Sequence, residues 1–261
     1  MSSKLQLRQD LRGVATVTLD NAEQHNAFDD QLIAALKSTF QTLAADSSVR
    51  AVVLAANGKS FSAGADLGYM KKMAGYSQAD NQRDAEQLAA MLSALNNLPM
   101  PTIARVQGAA FGGAVGLVSC CDMAIGSERA SFCLSEVKLG LIPATISPYV
   151  LRAIGERAAR RYFTTAERFT ASTALQLGLL SEVVAEEKLD EACQQLLNTL
   201  LANGPQAVRE AKALALDYGG QTIDSALIHD SSERIARLRV SAEGQEGLAA
   251  FFDKRQPNWQ H

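Results

Sequence analysis

Two short, almost wholly apolar runs, RAVVLAA at 50–56 and TIARV at 102–106, each lead into a glycine- and alanine-rich loop and then into a helical pattern. Runs of this length without polar alternation read as strands covered on both faces, the habit of parallel strands. Strand, loop and helix recurring in that order imply an α/β core.

The flanking segments extend this reading. Residues 5–7 and 14–19 alternate with period two around the Arg12–Gly13 turn and predict two strands. Asp29 or Asp30 can cap a helix whose apolar positions Leu32, Ile33, Leu36, Phe40 and Leu43 share one face. The loop at 57–68 precedes a pattern that predicts one long helix ending near Leu98, where Pro99 and Pro101 stop it. The loop at 107–113 opens an apolar helix ending near Cys121. Short strands are expected around 123–125, 131–133 and Val137, followed by a turn at 141–143. Residues 148–155, 156–165 and 172–178 read as helices, and 182–184 as a last strand. From 186 onward the chain reads as helix after helix (186–202, 205–217, 222–240 and 243–254), and the final NWQH reads as a frayed end. The expected organisation is an α/β core over residues 1–200 and a helical region over 201–261.

A chain of 261 residues that is 47% hydrophobic and 20% charged can bury a sizeable core. The formal net charge is −3, and no block of lysine and arginine exceeds a pair or so. No electrostatic footprint for nucleic acid or a membrane surface follows from that balance. The N-terminal residues hold no apolar stretch of signal-peptide length, and no run approaches the roughly eighteen apolar residues of a membrane helix. Cys120, Cys121, Cys133 and Cys193 form no C-x-x-C pair and read as free thiols of a reducing compartment. A cytoplasmic protein is expected.

Two loops concentrate small residues where a strand meets a helix: Phe61-Ser62-Ala63-Gly64-Ala65-Asp66-Leu67 and Gln107-Gly108-Ala109-Ala110-Phe111-Gly112-Gly113-Ala114. Small side chains let a ligand approach the backbone. Unpaired N–H groups at a helix start favour negative charge. Two such loops can converge on one carbonyl oxygen as an oxyanion hole, or they can be tight strand-to-helix turns and nothing more. The helix after the second loop offers no polar side chain before Ser119, so polar recognition there must come from the backbone. The segment 131–143 then places Glu136 among apolar neighbours. A carboxylate in such surroundings is either paired or kept for proton transfer. If the segment is a strand, Lys138 shares the face of Glu136, and a plain ion pair is the alternative.

FSAGADL at 61–67, ARVQGAAFGGAVGLVSCCDMAI at 104–125 and FCLSEVKLGLIP at 132–143 together resemble the crotonase (enoyl-CoA hydratase/isomerase) superfamily. AERFTASTALQLGLLSEVV at 166–184 extends the resemblance over nearly the whole chain. It implies a spiral of repeated strand-strand-helix turns with C-terminal helices that build trimers or hexamers. It also implies an acyl-CoA thioester as substrate, coenzyme A entering as part of that substrate, and neither a metal nor a redox cofactor. By position, the backbone N–H groups of Ala65 and Gly113 become the oxyanion donors. Ser62, Ala63, Gly64, Asp66, Leu67, Gly112 and Leu141 become substrate-binding residues, and Glu136 becomes the acid–base. Position 116 is where two-carboxylate hydratases keep their other glutamate, and here it is Gly116. The isomerases of the superfamily similarly keep only the first of the two acids, so a proton shuttle suits the site as well as hydration does.

HNAFDD at 25–30, AGADLGYMKKMAGY at 63–76 and GLIPATISPYVLRAIGERAARRYF at 140–163 resemble bacterial hydratases of 3-methylglutaconyl-CoA and of γ-carboxygeranoyl-type CoA esters. These substrates carry a second carboxylate, so an arginine or lysine should face the acyl pocket. Arg152, Lys138, Lys71 and Lys72 are the candidates.

Other chemistries fit poorly. Gly58-Lys59-Ser60 imitates the end of a phosphate loop, but the first glycine of that motif would fall on Val53. There is no G-x-S-x-G elbow. His25, His229 and His261 lack the spacing of metal ligands. A non-catalytic CoA-ester-binding member is the rival from a different class, favoured by Gly116 and opposed by Glu136. RNA binding is opposed by the acidic balance.

Overall fold

The computed structural model describes residues 4–260. Its strands are β1 (Leu5–Gln9), β2 (Val14–Leu19), β3 (Ala51–Ala56), β4 (Thr102–Val106), β5 (Ala109–Phe111), β6 (Met123–Ser127), β7 (Ser131–Cys133), β8 (Phe169–Thr170) and β9 (Glu182–Val184). Six of them form one sheet in the order β1-β2-β3-β4-β6-β9. The β1–β2 pair is antiparallel and every later pair in that sheet is parallel. A small second sheet, β5-β7-β8, sits beside it.

β3 shows why the central run is apolar throughout. Val52, Leu54 and Ala56 face a core built with Leu32, Leu36, Phe40, Met91 and Leu92. Ala51, Val53 and Ala55 face the opposite side, packed with Leu189, Cys193 and Leu197. The second set lies on α7 (Leu189–Leu201). α1 (Asp30–Ala45) covers the first side. It is capped by Asp29, whose side chain accepts from the N–H of Leu32, and it buries the five apolar positions expected of it.

The single helix expected before Pro99 is two, α2 (Leu67–Met73) and α3 (Gln78–Asn96). Gly75 is a poor helix former, and Ser77 with Asp80 forms a capping box that starts the second helix afresh. This break turns α2 toward the site. α4 (Gly113–Cys120) is buried along most of its length. Downstream of it lies α5 (Ser147–Thr165), which kinks at Gly155, φ 75°, where the sequence reading divides it into two helices. α6 (Ala171–Leu177) leads to β9. The strand expected at Val137 is instead a 3-10 turn over Glu136–Leu139, closed by left-handed Gly140.

After α7 come α8 (Pro205–Tyr218), α9 (Ser225–Arg239) and α10 (Ala242–Phe252). They bury one residue among them, Ala250. Ile223, Val240, Phe251 and Phe252 are largely exposed. The end that reads as frayed is held, because Trp259 Nε1 and Gln260 Nε2 both donate to the carbonyl of Ala202, at 3.2 and 2.6 Å. His261 lies outside the described residues. The four cysteines are free thiols. Among the described residues no helix is long and apolar enough to cross a membrane.

Candidate active site

The two small-residue loops meet through backbone pairing. Ser62 adds alongside β5, with its N–H on the carbonyl of Ala109 and its carbonyl accepting from Phe111, both at 3.0 Å. Ala65 pairs with Phe28, bracketed by Phe28 N–H to Gly64 O at 2.7 Å and Asp66 N–H to Phe28 O at 2.8 Å. Those two bonds fix the strand edge that faces Phe28 and turn the N–H of Ala65 the other way. Among the described residues that N–H has no acceptor, and neither does the N–H of Gly113, the first residue of α4. These are the two groups expected as oxyanion donors, both on the wall of one cleft.

Glycine is required at two points of this junction. Gly64 has φ 92°, and a Cβ there would lie 3.0 Å from the carbonyl oxygen of Phe111. Gly112 has φ 53° and would bring a Cβ to 3.2 Å from Glu136 Oε1. That short approach is direct evidence that Glu136 lies against the start of α4. Gly112 also donates to Cys133 O at 2.8 Å, which ties the loop to β7 just before Glu136.

The cleft encloses about 510 Å³. Of the expected residues, Glu136, Ala65, Gly113, Ala63, Gly64, Leu67, Gly112 and Leu141 line it. Ser62, Asp66 and Gly116 do not. Ser62 is fully buried and its hydroxyl accepts from Gly64 N–H at 3.2 Å. Asp66 caps α2 by accepting from Tyr69 N–H at 2.9 Å. Both shape the loop from behind. Gly116 is buried in α4 beneath Ile146: a Cβ there would lie 2.3 Å from Ile146 Cγ2. Ile146 takes the space that a longer side chain at 116 would need, and it is itself one of the residues that line the cleft.

Glu136 Oε2 is buried without a hydrogen-bond partner. Loss of solvent pushes its carboxyl above the usual glutamate range. No ion pair with Lys138 forms, because the 3-10 turn sends the lysine into solvent. None of the four cations considered for the acyl pocket lines it. Arg152 is exposed on α5, Lys71 and Lys72 are exposed on α2, and Lys72 is paired with Asp30 at 3.0 Å. The charged side chains on the wall are both acids, Glu136 and Asp84.

Sequence reasoning missed two residues that hold the first loop. Asn26 is fully buried, and its Nδ2 donates to the carbonyls of Asn57 at 2.8 Å and Ser60 at 3.0 Å. Gln107 Nε2 donates to the carbonyls of Ala56 and Gly58, both at 3.0 Å, and of Ser60 at 3.1 Å. A buried amide that satisfies several loop carbonyls fixes that loop. For Gln107 the available signal was a polar residue inside an otherwise apolar stretch; Asn26 lies in a polar stretch and carried no such signal. The Tyr69–Asp84 hydrogen bond inside the cleft was also missed, since the two residues lie on different helices.

Two loops offering unpaired amides beside a desolvated carboxyl can hold an enolate oxygen and move a proton at the neighbouring carbon. The family model described as enoyl-CoA hydratase/isomerase matches residues 9–261, and the chain belongs to that family. It is 35% identical over 243 residues to the enoyl-CoA hydratase ACTT6 of Alternaria alternata, covering 92% of this chain and 78% of that protein. Among solved structures it is 50% identical to an enoyl-CoA hydratase of Shewanella pealeana, with a TM-score of 0.94 and coverage of 98% and 96%. Pseudomonas aeruginosa AtuE is 33% identical, with a TM-score of 0.95 and coverage of 99% and 100%. The crotonase-like fold is thereby shown.

Proposed function

We propose that the protein adds water across the double bond of an α,β-unsaturated acyl-CoA, with Glu136 as its acid–base. The observation that carries this is the desolvated Glu136 carboxyl set against Gly112, beside the free N–H groups of Gly113 and Ala65. The thioester oxygen accepts from these two amides. As the water oxygen bonds to the β-carbon, one water proton passes to the Glu136 carboxylate and the double-bond electrons move onto the thioester oxygen. The enolate then takes that proton from Glu136 at the α-carbon. Atoms balance with one water consumed, and Glu136 returns to its starting state.

Isomerisation is the second reading, favoured by Gly116 and the apolar Ile146 above it, which leave no glutamate at the other position. In that reaction Glu136 alone moves a proton between the α- and γ-carbons. The resemblance to 3-methylglutaconyl-CoA hydratases extends the proposal to a carboxylated chain, although the described lining supplies no cation for it. Lys71 lies one turn beyond Leu67 on the same side of α2 and forms no ion pair among the described residues, so a terminal carboxylate would have to meet it at the rim. The exposed apolar residues of α9 and α10 support assembly into trimers or hexamers.

The test is loss of the conjugated enoyl-thioester absorbance with crotonyl-CoA and with 3-methylglutaconyl-CoA. Wild-type turnover that drops about 10²–10⁴-fold in Glu136→Gln is the expected result. Full activity in that variant sinks the assignment. Isomerisation of a 3-enoyl-CoA without any hydration moves the protein to the second reading.

A further inference from the structure

A second acid lies in the same cleft. Asp84, on α3, accepts through Oδ1 from the hydroxyl of Tyr69, on α2, and both residues line the cavity. Tyr69 is 7% exposed. Burial, and then the Asp84 carboxylate, push its phenol well above the usual tyrosine range, so it stays protonated and donates. Asp84 Oδ2 has no hydrogen-bond or ion-pair partner among the described residues, whereas neighbouring Arg83 is turned to Asp80. Ile33, Met70, Met73 and Leu88 make the surrounding wall apolar. Asp84 is only half-buried, so Oδ2 opens onto the cleft, where its donor is water or a hydroxyl on the acyl chain.

Hydration creates the need for such an acceptor. The attacking water has two hydrogens: one passes to Glu136 and the other stays on the oxygen. An oxygen held through one hydrogen alone is poorly aimed. The place where a second glutamate would serve is closed at Gly116 by Ile146.

We propose that Asp84, oriented by the Tyr69 hydroxyl, accepts the second hydrogen of the attacking water through Oδ2 and afterwards holds the product's β-hydroxyl. This rests on the hydratase reading. Asp84 gains and loses no proton in the step. The oxygen–carbon bond forms at the β-carbon, the proton bound for the α-carbon travels through Glu136, and the retained hydrogen stays covalently on oxygen.

The test compares Asp84→Ala and Tyr69→Phe with wild type in two reactions. One is hydration of crotonyl-CoA. The other is exchange of the α-protons of butyryl-CoA in D2O, which needs Glu136 and the two amides but no attacking water. Hydration kcat is expected to fall about 10²-fold in Asp84→Ala and about tenfold in Tyr69→Phe, with KM within about twofold. Exchange should stay within about twofold of wild type in both variants. If hydration and exchange fall together, the pair only fastens α2 to α3 and the proposal is overturned. Unchanged hydration in both variants overturns it as well. A wild-type protein that exchanges α-protons but hydrates nothing removes the hydratase reading itself, an outcome distinct from active wild type with indifferent variants.

Discussion

Replacing Gly116 by alanine adds a single carbon in the middle of α4. That carbon would lie 2.3 Å from Ile146 Cγ2, 2.8 Å from Ile146 Cβ and 3.5 Å from Leu92 Cδ2. The Leu92 distance is near ordinary contact. The Ile146 distances are not, and Cβ of a β-branched residue cannot swing away without moving the backbone. Ile146 is 2% exposed and is the N-cap residue of α5, so the start of that helix must shift. Overpacking of this kind costs about 1–3 kcal/mol. The better helix propensity of alanine returns about 0.5–1 kcal/mol. Approaches of 2.3 and 2.8 Å put the steric cost in the upper part of the overpacking range, about 2–3 kcal/mol, so Gly116→Ala should lose about 1–2.5 kcal/mol in urea unfolding at a fixed protein concentration. In an Ile146→Ala background, itself weakened by about 2–5 kcal/mol through the cavity it opens, the same change should be neutral or stabilising. The difference between the two backgrounds is the steric term alone. By the same geometry, Gly116→Glu should not yield a working two-acid site while Ile146 is present. A Gly116→Ala protein as stable as wild type would refute the reasoning and mean that α4 and α5 slide apart at little cost.

Two more outcomes follow from the site. The folded-state carboxyl of Glu136 titrates above its unfolded value, chiefly through desolvation. Between those two values the folded chain holds more protons than the unfolded one, so this residue's contribution to stability falls as pH rises through that window. Glu136→Gln should consequently be more stable than wild type at neutral pH and equal to it at low pH in parallel unfolding titrations. Wild-type hydration should decline as pH drops through the raised value, because the carboxylate must be ionised to accept the water proton. A wild type and a variant with the same stability–pH slope would contradict this account. Gly112→Ala combines a residue at φ 53° with a Cβ 3.2 Å from Glu136 Oε1. It should cost about 1–3 kcal/mol of backbone strain and lower kcat more than about tenfold, read from crotonyl-CoA turnover beside a melting curve. Activity retained with a large stability loss would mean that Glu136 moves freely.

The apolar runs at β3 and β4, the helix on Leu32, Ile33, Leu36, Phe40 and Leu43, and the small-residue loops at 61–67 and 107–114 were legible because each is a local pattern. Periodicity, capping and glycine act over a few residues, and the sequence records them directly. The local pattern singled out the two loops and Glu136, whereas the roles expected of Ala65 and Gly113 came from the resemblance to the crotonase superfamily. The break between α2 and α3 was also written locally, in Gly75 and the Ser77–Asp80 box, but the flanking helical composition hid it. What the tertiary structure alone decided is which groups face one another. Gly116 lies under Ile146, thirty residues away in sequence, and Asp84 meets Tyr69 across two helices. Glu136 sits on a 3-10 turn and not on a strand, which separates it from Lys138 and leaves it in the cleft without a cation. Such pairings depend on how layers stack and where helices kink, and no spacing along the chain encodes them.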